Sequence, residues 1–171
     1  MERRENRVTS GGKPVTLLGK ELSIGDKAPD FTVLKSDNST VSYDDLQDKV
    51  KVISVVPSLD TGVCELQTIN FNEKAAELGD DVVVMTISMD LPFAQKRFCG
   101  QHGIENSLVL SDHRDASFGK NYGFLMEETR LLARGVVVID RQETIHYVEY
   151  VDEISDHPDY DRVILEVKKL L

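Results

Sequence analysis

From Val50 onward the chain alternates strand-sized apolar runs with helical stretches, which leaves few options: a βαβ unit must cover its sheet with the helices that join its strands. The run 52–56 is the first strand. Pro57, which cannot donate to a ladder, fixes its end, and Asp60, Thr61 and Gly62 lead into a helical stretch that reaches Leu78, with Gly79 as the stop. Val82–Ser88 reads as the next buried strand. Asp90 as a cap and Pro92 in the first turn then open a helix through Phe98 and Cys99 to about His102. Residues 108–110 are extended again, a short helix covers 116–122, and 134–139 pairs with 144–150 around a turn at 140–143. The last helix begins after Pro158 with Asp159 as its cap, and Val163, Ile164, Val167, Leu170 and Leu171 are spaced as one core face.

Ahead of this unit, residues 7–18 read as a hairpin whose turn, Ser10, Gly11, Gly12 and Lys13, has glycines free to take positive φ. A second hairpin is expected from 31–34 and 40–42 around Ser36, Asp37, Asn38 and Ser39. Extra strands, then βαβ, then ββα, is the order of a thioredoxin-like α/β sandwich: a central mixed sheet flanked by helices, here with an N-terminal β-hairpin. No repeat or linker interrupts the chain, so residues 1–171 are expected to form a single domain.

Charge and hydropathy exclude several functions. The net charge of -10 repels phosphate backbones and anionic lipid surfaces, so nucleic acid is not an expected partner. No apolar run approaches the ~20 residues a bilayer span needs, so no membrane partner is expected either. The charged amino end, followed by Gly11, Gly12 and Lys13, is not a secretory signal, and the expected location is cytoplasmic.

There are only two cysteines, Cys64 and Cys99. A domain with this much core does not need one disulfide to fold, so in a reducing compartment the thiols are either inert or chemical, and their surroundings decide. Cys64 falls in the first turn of a helix, where unpaired N–H groups and the positive end of the macrodipole favour thiolate. Moving a thiol's ionisation from about pH 8.5 to about 6 takes roughly 3.4 kcal/mol, more than a helix dipole alone usually provides. A further donor or cation is needed. Thr61, three residues earlier, can bring its hydroxyl to the sulfur, and Arg134, at the head of a strand, is the best candidate cation.

Plainer readings compete. A lone cysteine near a helix start is ordinarily an inert core residue, a threonine there is ordinarily only a cap, and an arginine heading a strand is ordinarily a surface residue. Cys99 with His102, His113 and Cys64 suggests a zinc site only weakly, because no second tight pair is present, and the four histidines read as surface or turn residues. There is no Cys-x-x-Cys, Gly-x-Ser-x-Gly or Walker loop. The acidic run Glu149, Asp152, Glu153, Asp156, Asp159 and Asp161 reads as a solvated face. A thioredoxin-like module whose thiols sense oxidation and relay it to a partner is the non-enzymatic alternative.

The run from Pro57 to Cys64, with Thr61 between, resembles the peroxiredoxin active-site pattern of Pro, three residues, Thr or Ser, two residues, Cys. Residues 88–99 resemble the resolving-cysteine segment of bacterial thiol peroxidases, the atypical two-cysteine branch, and the likeness extends over nearly the whole chain. The resemblance implies that Cys64 is the peroxidatic cysteine, that Thr61 and Arg134 bind and polarise the peroxide, that Pro57 shields the sulfur and that Cys99 resolves. It further implies a thiol-dependent peroxidase of antioxidant defence acting on organic hydroperoxides and hydrogen peroxide, with a Cys64–Cys99 intramolecular disulfide, thioredoxin as reductant, no cofactor or metal, and a homodimer. Gly62 stands where many members carry proline and Gly135 where alanine is common. Because a disulfide needs Cα atoms within about 7 Å, two helix-borne cysteines imply local unwinding during turnover, eased by Gly62 and Gly100.

Overall fold

The computed structural model describes residues 1–171. In chain order the elements are β1 (Arg3–Ser10), β2 (Lys13–Leu18), β3 (Thr32–Leu34), β4 (Thr40–Ser42), β5 (Val50–Val55), α1 (Gly62–Leu78), β6 (Val82–Ser88), α2 (Pro92–His102), β7 (Leu108–Ser111), α3 (Ser117–Tyr122), β8 (Leu125–Met126), β9 (Gly135–Ile139), β10 (Ile145–Tyr150) and α4 (Tyr160–Lys168). Seven strands form one mixed sheet in the order β10-β9-β5-β6-β7-β3-β4. The β5, β6 and β7 strands are mutually parallel, whereas β9 and β3 join their flanks antiparallel.

Because side chains alternate across a strand, each central strand feeds two cores. Val52, Val84, Val136 and Val138 meet Phe71 of α1 and Val163 and Val167 of α4 on one face. Ile53, Met85 and Val137 point the other way, into a larger cluster with Phe31, Phe118 and Phe124. Burial on both faces is why β9 reads as a continuous apolar run and not as an alternating one, and why even Lys51 and Ser54 of β5 are fully buried.

The N-terminal hairpin is longer than the sequence suggests. It starts at Arg3, carries a register shift between Arg4 and Val8, and turns at Gly11 and Gly12 with φ of +58° and +79°. It is also not a separate preface, because β2 pairs with the two-residue β8, and Val8, Val15 and Leu17 join the larger core. Two further expectations need correction. Leu91, not Asp90, occupies the N-cap of α2, because the Asp90 carboxylate is engaged elsewhere. On α4, Leu171 is exposed, and Glu166 takes a buried position where it accepts from Arg162 and Lys169 and meets His146. Asp159 does cap α4, accepting from the Arg162 N–H. No helix is long and apolar enough to cross a membrane.

Candidate active site

The loop between β5 and α1 builds the site. Val56 makes one more ladder bond, to Ile87, before Pro57 ends the strand, and the Thr61 N–H then closes a turn onto the Ser58 carbonyl at 3.2 Å. Thr61 is the N-cap of α1 by its extended backbone, yet its side chain caps nothing. Its hydroxyl lies 2.7 Å from the Cys64 sulfur and 3.1 Å from the Ser58 carbonyl oxygen. A hydroxyl has one proton, so these two acceptors compete for it. Cys64 is the third residue of α1 and is fully buried.

Arg134 precedes β9 and is 2% exposed. Its Nη2 donates to Cys64 Sγ at 3.2 Å, its Nη1 to Gln67 Oε1 at 2.9 Å and its Nε to the Ile154 carbonyl at 2.6 Å. Gln67, one turn beyond Cys64 and fully buried, is itself fixed by donating to Ser54 Oγ at 2.8 Å. No carboxylate is among the partners of this buried guanidinium. Buried charges require compensation, and of the three acceptors only the sulfur can carry an opposite charge.

The hairpin tip and the loop after β10 form the far wall. A cavity of about 230 Å³ is lined by Pro57, Thr61 and Arg134 on one side and by Ser10, Gly11 and Ile154 on the other. Glu153 clasps this wall together, accepting from Gly12 N–H at 2.7 Å, Thr9 Oγ1 at 2.9 Å and Ser155 Oγ at 2.6 Å. These hydrogen bonds, those to Ser155 first, hold its carboxyl down at about 2. Part of the acidic run is therefore structural and not simply solvated: Glu153 joins hairpin to loop, and Glu149 accepts from the Asp159 N–H. Two larger depressions, of about 450 and 710 Å³, have no cysteine in their linings.

Cys99 sits apart, half-buried on α2, and both thiols are free. Burial pushes the Cys99 thiol above its ordinary value. The two cysteines border one apolar cluster, formed by Val56, Leu59, Phe98, Ile104 and Val109 between α1 and α2. His102 packs against Phe98 with ring centroids 4.4 Å apart and planes tilted by 40°, and no group of three or more His, Cys, Asp or Glu side chains is placed to hold a metal.

The structure thus brings Pro57, Thr61, Cys64 and Arg134 together and leaves Cys99 on its own helix. Two polar residues of the site were not singled out by the sequence. Gln67 has a signal, since i and i+3 share a helix face. Asp90 was read as a cap, but it accepts from Ser58 and Leu59 of the loop before α1.

Known proteins give a consistent picture. The redoxin family model matches residues 23–164. The thiol peroxidase of Halalkalibacterium halodurans is 57% identical over 164 residues, covering 96% of this chain and 98% of its own. That of Bacillus subtilis is 53% identical over 164 residues, with the same coverage. Among solved structures, a peroxiredoxin-like protein from Aquifex aeolicus superposes with a TM-score of 0.91 at 44% identity, covering 98% of this chain and 99% of that one. A thiol peroxidase from Chromobacterium violaceum, at 21% identity and 95% coverage of both chains, shares the fold with a TM-score of 0.84.

Proposed function

We propose the following cycle for a chain that belongs to the redoxin family and, within it, to the thiol peroxidases. The protein is a thiol-dependent peroxidase, and the reading assigns its chemistry to Cys64. The Cys64 thiolate attacks the distal oxygen of a hydroperoxide, forming the S–O bond as the O–O bond breaks. Cys64 becomes sulfenic acid, and the departing alkoxide or hydroxide takes up a proton to give alcohol or water. Thr61 and Arg134 donate to the sulfur and to the oxygens on which charge develops, and their fixed orientation supplies that stabilisation without reorganisation. Pro57 and the cavity wall restrict water at the sulfur.

The Cys99 thiol then attacks the sulfenic sulfur, releasing water and forming a Cys64–Cys99 disulfide. Both cysteines start on intact helices, so the first turn of α1 and the segment around Cys99 must open for this step. A thioredoxin-type dithiol returns both cysteines to thiols and is itself oxidised to a disulfide. The reading also includes action in the cytoplasm, a single domain over residues 1–171, and a homodimer. Leu91 and Phe93, exposed at the start of α2, offer apolar surface to a dimer.

The observation that carries the proposal is the buried guanidinium of Arg134 with Cys64 Sγ as its only partner able to be anionic. A thioredoxin-coupled assay with hydrogen peroxide and a bulky organic hydroperoxide tests it. Cys64→Ser should abolish turnover, and Cys99→Ser should consume one equivalent of peroxide and then fail to recycle. Multiple turnovers by Cys64→Ser would overturn the assignment.

A further inference from the structure

Asp90 lies at the junction of β6 and α2, and its carboxylate reaches across to the loop ahead of Cys64. Its Oδ1 accepts from Ser58 Oγ at 2.8 Å, and its Oδ2 accepts from the Leu59 N–H at 2.8 Å and from Ser88 Oγ at 2.7 Å. Ser88 Oγ in turn accepts from Gln95 Nε2 at 3.1 Å, and Gln95, fully buried, also donates to the Leu110 carbonyl at 2.8 Å. Gln95 and Cys99 are four residues apart on α2, on one face of that helix. On the other side, the Ser58 carbonyl is the second acceptor of the Thr61 hydroxyl that touches the Cys64 sulfur. One unbroken chain of polar contacts therefore runs Gln95, Ser88, Asp90, Ser58, Thr61, Cys64. Between Gln95 and Thr61 the other links are amide, hydroxyl and peptide groups; Asp90 contributes the one carboxylate, and hydrogen bonds to a charged group are the stronger kind.

We propose that Asp90 is a positioning residue for both sulfurs: by tying the Ser58–Thr61 turn to the β6–α2 junction, it favours attack of Cys64 on peroxide and holds back the opening that disulfide formation needs. The inference rests on the two-cysteine cycle proposed above and assigns to Asp90 the balance between its two steps. With the turn held, the Ser58 carbonyl keeps its bond from the Thr61 N–H, and the Thr61 oxygen stays 2.7 Å from the sulfur. For Cys99 to reach the sulfenic sulfur, the first turn of α1 and the segment around Cys99 must unwind, and the Asp90 bonds to Ser58 and Leu59 hold in place the loop that leads into that turn. A sulfenic acid that waits longer meets a second hydroperoxide more often, is oxidised to sulfinic acid as that peroxide is reduced to alcohol or water, and leaves the cycle.

The test separates the two steps in the full-length protein. Reduced wild type, Asp90→Asn and Ser58→Ala are mixed with hydroperoxide and quenched at intervals, with dimedone trapping sulfenic acid, and intact masses report thiol, adduct, disulfide and sulfinate. In Asp90→Asn, sulfenic acid formation should slow about tenfold, the kinetic equivalent of one hydrogen bond to a charged group. Disulfide formation should accelerate, and the peroxide concentration that converts half of Cys64 to sulfinate should rise. Ser58→Ala, which removes one of the Asp90 bonds and leaves that from the Leu59 N–H, should move all three quantities in the same directions by less and keeps the test open if Asp90→Asn does not fold. Slowing of both steps together, or no change beyond twofold in either variant, would overturn the role of Asp90. Absence of any Cys64–Cys99 disulfide in the oxidised wild type would instead overturn the cycle itself.

Discussion

Removing Gln67 probes how firmly the cation is aimed at the sulfur. Gln67→Ala deletes the acceptor of Arg134 Nη1 and the donor to Ser54 Oγ, both fully buried. A hydrogen bond to a charged group contributes about 1.5–3 kcal/mol, which would slow the reaction about 10- to 150-fold if all of it were expressed in the transition state. Arg134 keeps its bonds to the Ile154 carbonyl and to Cys64 Sγ, so it pivots and stays in the site. The lower end of that range, about 10- to 30-fold, is therefore expected. The quantity to measure is the rate of sulfenic acid formation in a single turnover, since recycling by the reductant would mask it in steady state. Unpairing Ser54 also costs stability, about 1–3 kcal/mol, so the assay belongs well below the unfolding midpoint, with folding checked by circular dichroism. A single-turnover rate within twofold of the parent would refute the idea that Gln67 aims the guanidinium.

Two glycines near the site should behave oppositely. A Cβ on Gly135 would run into the Glu149 carbonyl of the paired strand and the Phe124 ring, so Gly135→Ala should lower stability by about 1–3 kcal/mol. A Cβ on Gly62 meets nothing, and Thr61 before it is already extended, so Gly62→Pro at the first position of α1 should gain about 0.4–1 kcal/mol. Thermal melts showing the reverse order would contradict this reading. Burial pushes the Asp112 carboxyl up to about 6, against the N–H groups of Phe118 and Gly119 that hold it down. A carboxyl whose folded value lies above its unfolded one binds its proton more tightly in the native state. Its contribution to stability is thus largest below about pH 4 and falls away as pH rises to about 6, by about 3 kcal/mol at most. Urea unfolding across this range should show a flatter pH dependence for Asp112→Asn than for the parent, and equal slopes would defeat the argument.

What the sequence made legible was local. Pro57, Thr61 and Gly79 punctuate a strand and a helix through their own backbone preferences, and Gly11 and Gly12 mark a turn that only positive φ closes. The bounds of β6 and α1 follow directly. What stayed hidden depends on distant partners. The two residues of β8 form a strand only because β2 lies beside them. Asp90 has the composition of a helix cap and the position of one, but its acceptors are filled by residues about thirty positions earlier. The spacing at the end of α4 made Leu171 look like core, while the charges of Arg162 and Lys169 bring Glu166 in instead.

The buried side of α1 explains why the catalytic helix has so weak an apolar pattern. The residues facing inward are Cys64, Gln67, Thr68, Phe71 and Asn72, and only Phe71 is a conventional core residue. Thr68 donates to the Cys64 carbonyl, and Asn72 accepts from the N–H groups of Asn106 and Ser107. Apolar residues would fill the same space with no partners to find. The polar ones specify direction: the Gln67 bonds to Ser54 and Arg134 and the Asn72 bonds to Asn106 and Ser107 fix the rotation of α1 against β5, the start of β9 and the β7 approach, and with it the placement of one sulfur against one guanidinium, while the Thr68 bond stays within the helix. A helix seated by packing alone can rotate slightly at low cost, and at a 3.2 Å contact such a rotation would lose the interaction. Polar specification also bears on the opening needed for the disulfide: the Asn72 bonds to Asn106 and Ser107 lie two turns beyond Cys64 and hold the rest of α1 while the first turn moves and releases the Thr68 bond to the Cys64 carbonyl.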